Sequence, residues 1–256
     1  MSNSLGFQFK QFFIAHDRCA MKVNTDGVLL GAIADVQNAK RVLDLGTGTG
    51  LIAIMLAQRT ASDCQIVALE LEANAAMQAK KNVQQSPWSE RICVLNQDVL
   101  QFRTETKFDL VVANPPYFSN SLASRSDERT LARSAVQPHL MWLKKAKECL
   151  ALGGEIWWIL PIEEGQKLIA CSHEIGLYCT QLWKIHTQAD RPPKRWVMVF
   201  AMADNPIVAN PIVQNVDFAR STTPNSYAQY QLNIYQSNGK YSEDFIALTK
   251  SFYLKM

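Results

Sequence analysis

One short segment, Val42–Gly50, constrains the fold of this chain more than any other. It reads Val-Leu-Asp-Leu-Gly-Thr-Gly-Thr-Gly, an apolar run followed by three glycines at alternate positions, and the apolar run Leu51–Arg59 follows at once. The first run favours a buried strand, and the second favours a helix. Glycine permits backbone conformations that other residues resist, and it lets the backbone approach a ligand closely. The segment therefore predicts a strand, a ligand-binding turn and a helix in immediate succession.

The region from Arg41 to Ala203 alternates short apolar runs with longer amphipathic segments, which is typical of a mostly parallel sheet covered by helices. Strands are predicted at Arg41–Leu45, Gln65–Leu69, Ile92–Gln97, Phe108–Ala113, Glu155–Leu160, Tyr178–His186 and Trp196–Ala203. Helices are predicted at Leu51–Arg59, Ala73–Gln84, Pro138–Leu150 and Glu163–Glu174, with Pro138 in a first turn. Because no helical pattern separates the last two strands, we expect them to form an antiparallel hairpin at the sheet edge. The predicted fold is α/β and Rossmann-like, a seven-stranded, mostly parallel sheet with helices on both faces.

The composition indicates a globular protein with a large core. The chain has 256 residues, of which 48% are hydrophobic and 19% charged, so extended disorder is not expected. We expect residues 1–40 to pack near the ligand site, residues 41–203 to form the core, and residues 204–256 to form an extension packed on it. Within the extension, Leu232–Tyr235 favours a strand, and Ser242–Phe252 favours a helix opened by a serine cap.

Neither a membrane segment nor a metal site is indicated. The first residues lack the uninterrupted apolar core of a signal peptide and no later run could span a bilayer, so we expect a cytoplasmic protein. The six cysteines include no CxxC pair, which favours reduced thiols packed as small hydrophobes. Two His and Cys pairs are close in sequence, but no second pair at zinc spacing follows either of them. We therefore expect no bound metal. We also expect a monomer.

The glycine spacing distinguishes two ligand classes. Dinucleotide-binding turns follow G-x-G-x-x-G, whereas this turn follows G-x-G-x-G and has an acidic residue inside the preceding strand. That combination resembles the S-adenosylmethionine motif of Rossmann-like methyltransferases; a tight turn without a ligand is the alternative. The resemblance implies S-adenosylmethionine as the cofactor, held at Asp44, Gly46, Thr47, Gly48 and Gly50.

Acidic residues also end the next two strands. Glu70 stands where a carboxylate can accept hydrogen bonds from both ribose hydroxyls. Asp98 stands where an acid holds the adenine amino group in the resembled enzymes, where the neighbouring backbone contacts the ring. The adjacent Leu71 and Val99 are therefore expected to bind the cofactor as well. Either acid alone would more often be a solvated strand end or a helix cap. Because ligands in open α/β sheets bind at the carboxyl ends of the strands, we expect these residues to contact the cofactor.

The fourth predicted strand leads directly into the tetrad Asn114, Pro115, Pro116 and Tyr117. The prolines stiffen the loop and remove backbone donors, so the nearby carbonyl groups are presented as acceptors. An amino group on an aromatic ring or an amide is a poor nucleophile, because its lone pair is delocalised. The Asn114 side-chain oxygen and the Pro115 carbonyl can accept its two hydrogens, and Tyr117 can stack on the planar acceptor group. The alternative is an ordinary proline-stiffened turn.

The N-P-P-Y tetrad is shared by adenine N6-methyltransferases of nucleic acids and by enzymes that methylate the glutamine amide of release factors. The segments Phe9–Phe13 and His16–Gly27 are similar to the N-terminus of bacterial tRNA adenine N6-methyltransferases that modify the adenosine beside the anticodon of a valine tRNA. The Arg191–Arg195 loop and the Tyr241–Leu254 stretch resemble the same family. The resemblance covers nearly the whole chain and implies a tRNA substrate.

The same resemblance places Lys22 and Thr25 beside the methionine end of the cofactor. Thr25 or Asp26 could instead cap a helix over Gly27–Ala34, and Asn24 stands where the family usually has a small residue. Six cations could neutralise tRNA phosphates, although such residues are more often simply solvated: Arg125, Arg129, Arg133, Arg191, Lys194 and Arg195.

Two other functions stay open at this point. A glutamine-amide methyltransferase usually carries a helical N-terminal domain, and only about forty residues precede the glycine turn. A non-catalytic cofactor-binding or RNA-binding module would have no need of an intact tetrad. The net charge of +3 neither requires nor excludes an RNA partner.

Overall fold

A computed structural model of the chain describes residues 5–17, 19, 22–116, 128–203 and 227–255, and for residues 128–137 it describes the backbone alone. The strands are β1 (Gly6–Gln8), β2 (Phe13–Ala15), β3 (Arg41–Leu45), β4 (Gln65–Glu70), β5 (Ile92–Asn96), β6 (Phe108–Ala113), β7 (Leu150–Pro161), β8 (Leu177–Gln188), β9 (Pro193–Met202) and β10 (Ala228–Tyr235). The helices are α1 (Thr25–Ile33), α2 (Leu51–Arg59), α3 (Ala73–Gln84), α4 (Glu128–Cys149), α5 (Ile162–Ser172) and α6 (Glu243–Thr249).

The main sheet has the strand order β10-β8-β9-β7-β6-β3-β4-β5, and β1 pairs with β2 in a separate hairpin. Within the main sheet, β9 is antiparallel to both of its neighbours, and every other neighbouring pair is parallel. The α/β, mostly parallel fold predicted from the sequence is confirmed. Every strand except β9 therefore ends at the same rim of the sheet, which is where open α/β sheets bind their ligands.

The main sheet has eight strands rather than the seven predicted. The antiparallel β8–β9 hairpin is present, but β10 pairs parallel with β8 and forms the edge beyond it. Without this pairing, the 12-residue strand β8 would leave a long row of backbone donors and acceptors unpaired. Only Leu232 of β10 is fully buried. The apolar pattern of this strand is therefore too weak to predict that it joins the main sheet.

Helix α4 also differs from its prediction. It runs from Glu128 to Cys149 and contains Pro138 in its interior, whereas the sequence placed Pro138 in the first turn. A proline inside a helix removes one donor and strains the preceding turn, but a 22-residue helix retains many other hydrogen bonds. Helices α2 and α3 have the predicted bounds, and the serine cap of α6 is confirmed, because Ser242 Oγ accepts a hydrogen bond from Phe245 N–H at 3.1 Å.

Helices cover both faces of the sheet, and each face has its own apolar core. The neighbours Trp157 and Trp158 show the division, since they are 2% and 0% exposed and belong to different cores. This follows from the alternation of side chains along a strand, and both tryptophans are core residues. None of the described helices is long and apolar enough to cross a membrane.

The N-terminal hairpin packs against the end of the C-terminal segment. The Lys10 N–H donates to the Phe252 carbonyl at 2.7 Å, and the Phe9 and Tyr253 rings have centroids 5.8 Å apart. Phe9 and Phe252 belong to the same core as helices α1 and α2. The assignment of residues 1–40, 41–203 and 204–256 to separate units stays a prediction.

Candidate active site

The turn between β3 and α2 is built from backbone conformations that favour glycine. Gly46, Gly48 and Gly50 have φ angles of 70°, 57° and 83°, a region in which a side chain is strained. The Thr47 N–H donates to the Leu69 carbonyl at 2.8 Å, and the Gly50 N–H donates to the Thr47 carbonyl at 2.9 Å. The turn is thus fixed by its own backbone and by the neighbouring strand β4.

Gly46 and Gly48 have different surroundings. A Cβ atom on Gly46 would lie 2.9 Å from the Cη2 atom of Trp142, which extends from α4. A Cβ atom on Gly48 would meet nothing within 4 Å. Packing therefore requires glycine at position 46, whereas glycine at position 48 leaves an open cradle at the surface of the turn.

Glu70 ends β4 beside this cradle. Its Oε2 accepts a hydrogen bond from Gly48 N–H at 2.8 Å, and its Oε1 accepts one from Glu72 N–H at 2.9 Å. These two bonds fix the carboxylate at the carboxyl end of the strand. Since each carboxylate oxygen can accept more than one hydrogen bond, Glu70 retains the capacity to bind a ligand hydroxyl.

Asp44 lies under the turn and is fully buried. The Thr47 hydroxyl donates to Asp44 Oδ2 at 2.5 Å, and Asp44 Oδ1 has no hydrogen-bond partner within the described part of the chain. Burial raises the pKa of Asp44 to about 7, against the opposing effects of hydrogen bonds from the Thr47 hydroxyl and the Ala53 backbone. A buried carboxylate that is short of partners is an environment that favours a nearby cation.

A shallow pocket, open to solvent, lies above the turn. Its lining residues are Lys22, Asn24, Gly27, Gly46, Thr47, Gly48, Thr49, Leu51, Ile52 and Asn114. The structure thus brings Gly46, Thr47 and Gly48 of the predicted turn together with Lys22 and with Asn114 of the tetrad. Six other residues predicted to bind the cofactor do not belong to this lining: Asp44, Gly50, Glu70, Leu71, Asp98 and Val99. The predicted Thr25 does not belong to this lining; it is exposed at the first position of α1.

Asn24 is a pocket residue that sequence reasoning missed. It caps helix α1, because its Oδ1 accepts a hydrogen bond from Gly27 N–H at 2.8 Å. The capping role considered for Thr25 or Asp26 therefore belongs to Asn24. The available signal was the preference for asparagine at the residue preceding a helix, and Asn24 precedes an apolar stretch.

The register of the sheet explains why the tetrad lies beside the glycine turn. Leu45 of β3 is paired with both Ala113 of β6 and Leu69 of β4. The next residue on each of the three strands is therefore Gly46, Asn114 or Glu70, and these three lie side by side at the rim. Such an arrangement can present one ligand to a backbone turn, an amide and a carboxylate together.

The remaining tetrad residues differ in exposure. Asn114 is half-buried, Pro115 is buried and Pro116 is exposed. Tyr117 lies outside the described residues. Asn114 follows the end of β6, and the two prolines come next, so the loop continues with two residues that lack backbone donors.

The rim continues through the end of β5. Asp98 Oδ1 accepts a hydrogen bond from Leu100 N–H at 2.8 Å, so its carboxylate caps the short turn that follows. Asn96 Nδ2 donates to the carbonyls of Glu70 and Leu71, each at 2.9 Å, and this holds the ends of β4 and β5 together. Leu71 is 66% exposed, an apolar side chain left open where the adenine is expected; Val99 is buried.

The predicted cations fall into three groups. Arg191 lies in the turn between β8 and β9 and Lys194 at the start of β9; both are exposed, at the same rim as Asn114. Arg195 is half-buried, and its Nε donates to Asp26 Oδ2 at 2.8 Å. Arg125 lies outside the described residues, and Arg129 and Arg133 lie on α4 where side chains are not described. Among the described residues, no group of three or more His, Cys, Asp or Glu side chains could hold a metal ion.

Residues 20–167 match the family described as Methyltransferase small domain. The chain is 51% identical over 256 residues to a protein of Actinobacillus pleuropneumoniae serotype 7, with 100% of each chain covered. It is also 51% identical over 251 residues to a protein of Glaesserella parasuis serovar 5, with 98% of each covered. Both relatives are named tRNA1(Val) (adenine(37)-N6)-methyltransferase.

The fold is similar to that of a predicted O-methyltransferase from Agrobacterium tumefaciens, with a TM-score of 0.62 at 18% identity over 89% of this chain and 96% of that one. At this identity the likeness concerns the fold alone. The closer relationship is to the two named relatives, because the identity to each of them is 51% and extends over nearly the full length. The chain belongs to the methyltransferase small domain family and to the family of tRNA1(Val) (adenine(37)-N6)-methyltransferases.

Proposed function

We propose that this protein transfers the methyl group of S-adenosylmethionine to N6 of adenosine 37 in the anticodon loop of a valine tRNA, as the names of its relatives indicate. The observation that carries the proposal is the register of β3, β4 and β6, which places Asn114 beside Gly46 and Glu70. The Asn114 amide, which can position the acceptor amine, is therefore next to the glycine turn that is proposed to bind the cofactor.

The rim residues fit S-adenosylmethionine. Glu70 is fixed where it can accept the ribose hydroxyls, and the open space at Gly48 leaves room for the ligand. Leu71, Asp98 and Val99 stand at the ends of β4 and β5, where the adenine is expected. Asp44, buried beneath the glycine turn, supplies negative charge when it is ionised, and Lys22 and Asn24 line the pocket. Since the cofactor supplies a methyl group already activated by positive sulfur, the protein has mainly to position the two reactants.

The tetrad positions the acceptor. The side-chain oxygen of Asn114 and the carbonyl of Pro115 accept the two N6 hydrogens, which turns the nitrogen lone pair toward the methyl group. Tyr117, although outside the described residues, is proposed to stack on the adenine, as aromatic residues do with bases removed from a stack. No general base is assigned, because the amine can lose its proton after the methyl group has been transferred.

The RNA backbone is proposed to lie along the rim toward the β8–β9 turn. Arg191 and Lys194 are exposed there and can neutralise phosphates; Arg125, Arg129 and Arg133, which follow the tetrad, are proposed as a second group. We also propose that the protein acts as a monomer in the cytoplasm. Light scattering at working concentration would test the monomer, and cell fractionation would test the location.

Asn114→Ala tests the mechanism. The variant is expected to bind S-adenosylmethionine as the wild type does, because the glycine turn and Glu70 remain, and to lose at least about 100-fold in kcat, because the amine is no longer oriented. Binding is measured by calorimetry, and kcat by methyl transfer to tRNA. Asn38→Ala, at an exposed site that precedes β3, is the matched control. Full activity in Asn114→Ala would show that the amide does not position the amine.

A further inference from the structure

An ion pair joins the hairpin of β8 and β9 to the wall of the cofactor pocket. Arg195 Nε and Asp26 Oδ2 are 2.8 Å apart, and the two side chains are 30% and 16% exposed. Arg195 lies at the start of β9 and Asp26 in the first turn of α1, 169 positions apart in the sequence. Contact between such distant elements fixes how α1 lies against the sheet.

The Asp26 end of this ion pair is next to the pocket. Asn24 and Gly27, which precede and follow Asp26, both line the pocket, and Lys22 lines it two residues before Asn24. Asn24 Oδ1 also receives the Gly27 N–H, so Asp26 sits inside the closed first turn of the helix. A displacement of Asp26 would therefore also move Asn24 and Gly27, which line the pocket.

The Arg195 end is held firmly in the sheet. Arg195 is paired with Pro161 of β7 and Ile185 of β8, so its backbone lies inside the sheet rather than at the tip of the hairpin. Its Nη1 also donates to the Lys194 carbonyl at 2.9 Å. A guanidinium that is oriented by its own strand loses little freedom when it binds a carboxylate, and it makes a suitable fixed point for α1.

The two exposed neighbours in the same hairpin differ from Arg195. Arg191 and Lys194 are exposed, whereas Arg195 is half-buried against a carboxylate that already balances its charge. A tRNA phosphate that took the Nε donor of Arg195 would have to break its contact with Asp26 Oδ2, and the loss of a half-buried ion pair would oppose such binding. The sequence grouped the three cations together, but the structure separates them.

We propose that Arg195 and Asp26 are positioning residues of the cofactor pocket, and that Arg195 is not a phosphate ligand. The proposal rests on the proposed function only in taking S-adenosylmethionine as the ligand of this pocket. The ion pair holds the first turn of α1 so that Lys22 and Asn24 face the ligand. Loss of either partner should then loosen the same wall and weaken the same ligand.

The test compares Asp26→Asn, Arg195→Gln, the double variant, and the charge-swapped pair Asp26→Arg with Arg195→Asp. Each single variant is expected to raise the Kd and the KM for S-adenosylmethionine about three- to tenfold, as for a half-buried ion pair, with little change in kcat at saturation. The double variant should be no weaker than either single one, because both lose the same contact. The charge-swapped pair should recover part of the affinity. Thermal melting identifies any variant whose fold is lost.

The affinity for tRNA separates this proposal from a phosphate contact. Asp26→Asn and Arg195→Gln should both leave the tRNA Kd unchanged, whereas Lys194→Gln, the adjacent exposed control, should weaken tRNA and leave S-adenosylmethionine binding intact. The proposal is overturned if Arg195→Gln weakens tRNA without affecting the cofactor, or if the effects of the two single variants on the cofactor simply add. A wild-type protein that failed to bind S-adenosylmethionine would overturn the proposed function instead.

Discussion

Two glycines of the turn between β3 and α2 differ in their roles: one is required for packing, and the other leaves space for the ligand. Gly46 and Gly48 both have positive φ angles, but only Gly46 is packed against a side chain, that of Trp142. Gly48 faces open space and lines the pocket. The same substitution should therefore mainly reduce stability at position 46 and mainly reduce cofactor affinity at position 48.

Gly46→Ala is expected to lower the free energy of unfolding by about 2–4 kcal/mol, since it adds backbone strain and a clash with Trp142. Gly48→Ala should cost only about 1 kcal/mol of strain, yet it should weaken S-adenosylmethionine at least about tenfold, because the new methyl group enters the cradle. Urea denaturation and calorimetry measure the two quantities. Wild-type cofactor affinity in Gly48→Ala would show that the cradle is not the ligand site.

Asp44 gives cofactor binding a pH dependence. Burial raises the pKa of Asp44 from 3.8 to about 7, so the cofactor-free protein holds this proton below neutrality. The cationic cofactor favours the ionised form, and its affinity should fall as the pH drops below 7, by up to about tenfold per pH unit. Calorimetry between pH 6 and pH 8 tests this, with Asp44→Asn expected to show a flat profile. An equally steep profile in that variant would assign the titration to another group.

The same raised pKa affects folding in the absence of cofactor. The unfolded chain ionises Asp44 near its ordinary value of 3.8, whereas the folded chain does so near 7. The contribution of this group to stability is therefore present at low pH, and it is lost as the pH rises from about 4 to about 7. Binding of the cofactor should offset this loss.

At the scale of elements, a single amide connects the N-terminal hairpin to the glycine turn. Asn82 of α3 is fully buried. Its Oδ1 accepts from Ala15 N–H at 3.1 Å, and its Nδ2 donates to the carbonyls of Ala15 and Thr49 at 2.9 and 2.8 Å. Helix α3, strand β2 and the turn that leads into α2 are thus joined at one side chain.

Asn82→Ala is expected to reduce the free energy of unfolding by about 2–4 kcal/mol, because it leaves buried backbone groups of Ala15 and Thr49 without partners. Lys80→Ala, at an exposed position of the same helix, should change it by less than about 0.5 kcal/mol. Chemical denaturation gives both values. A neutral Asn82→Ala would mean that water or rearrangement satisfies these groups.

Local sequence patterns predicted most of the elements and the central part of the site, because strand, turn and helix signals are local. The glycine turn, Glu70 and Asn114 were identified in this way. The ion pair between Asp26 and Arg195 was not, since its partners are 169 positions apart, and the bonds of Asn82 to Ala15 span 67 positions. Such contacts depend on how the elements pack, which periodicity does not describe. The membership of β10 in the sheet was missed for the same reason.

At the scale of the whole molecule, the parallel strands gather the cofactor pocket, the tetrad and the β8–β9 turn at one rim. Three strand-to-strand steps separate β6 from β8, which corresponds to about 14 Å at the usual strand spacing. A tRNA loop with its adenine at Asn114 can therefore extend its backbone to Arg191 and Lys194. The affinity for tRNA should depend on these cations and on the salt concentration.

Reversal of both charges, Arg191→Glu with Lys194→Glu, should weaken tRNA binding and reduce the slope of log K against log salt by about 1 to 2, as for two lost phosphate contacts. The matched control is Lys80→Glu with Lys81→Glu, which makes the same change of charge on α3, away from the rim. Filter binding at several salt concentrations measures both slopes. An equal effect of the two pairs would indicate a response to net charge alone.

The most direct test of the central claim incubates the protein with methyl-labelled S-adenosylmethionine and total tRNA from cells that lack this gene, followed by digestion and identification of the labelled nucleosides. We predict label in N6-methyladenosine, within the valine tRNA and at the adenosine beside the anticodon. Label absent from RNA, in a protein that binds S-adenosylmethionine and is correctly folded, would contradict the claim and would make a protein amide the acceptor to examine next.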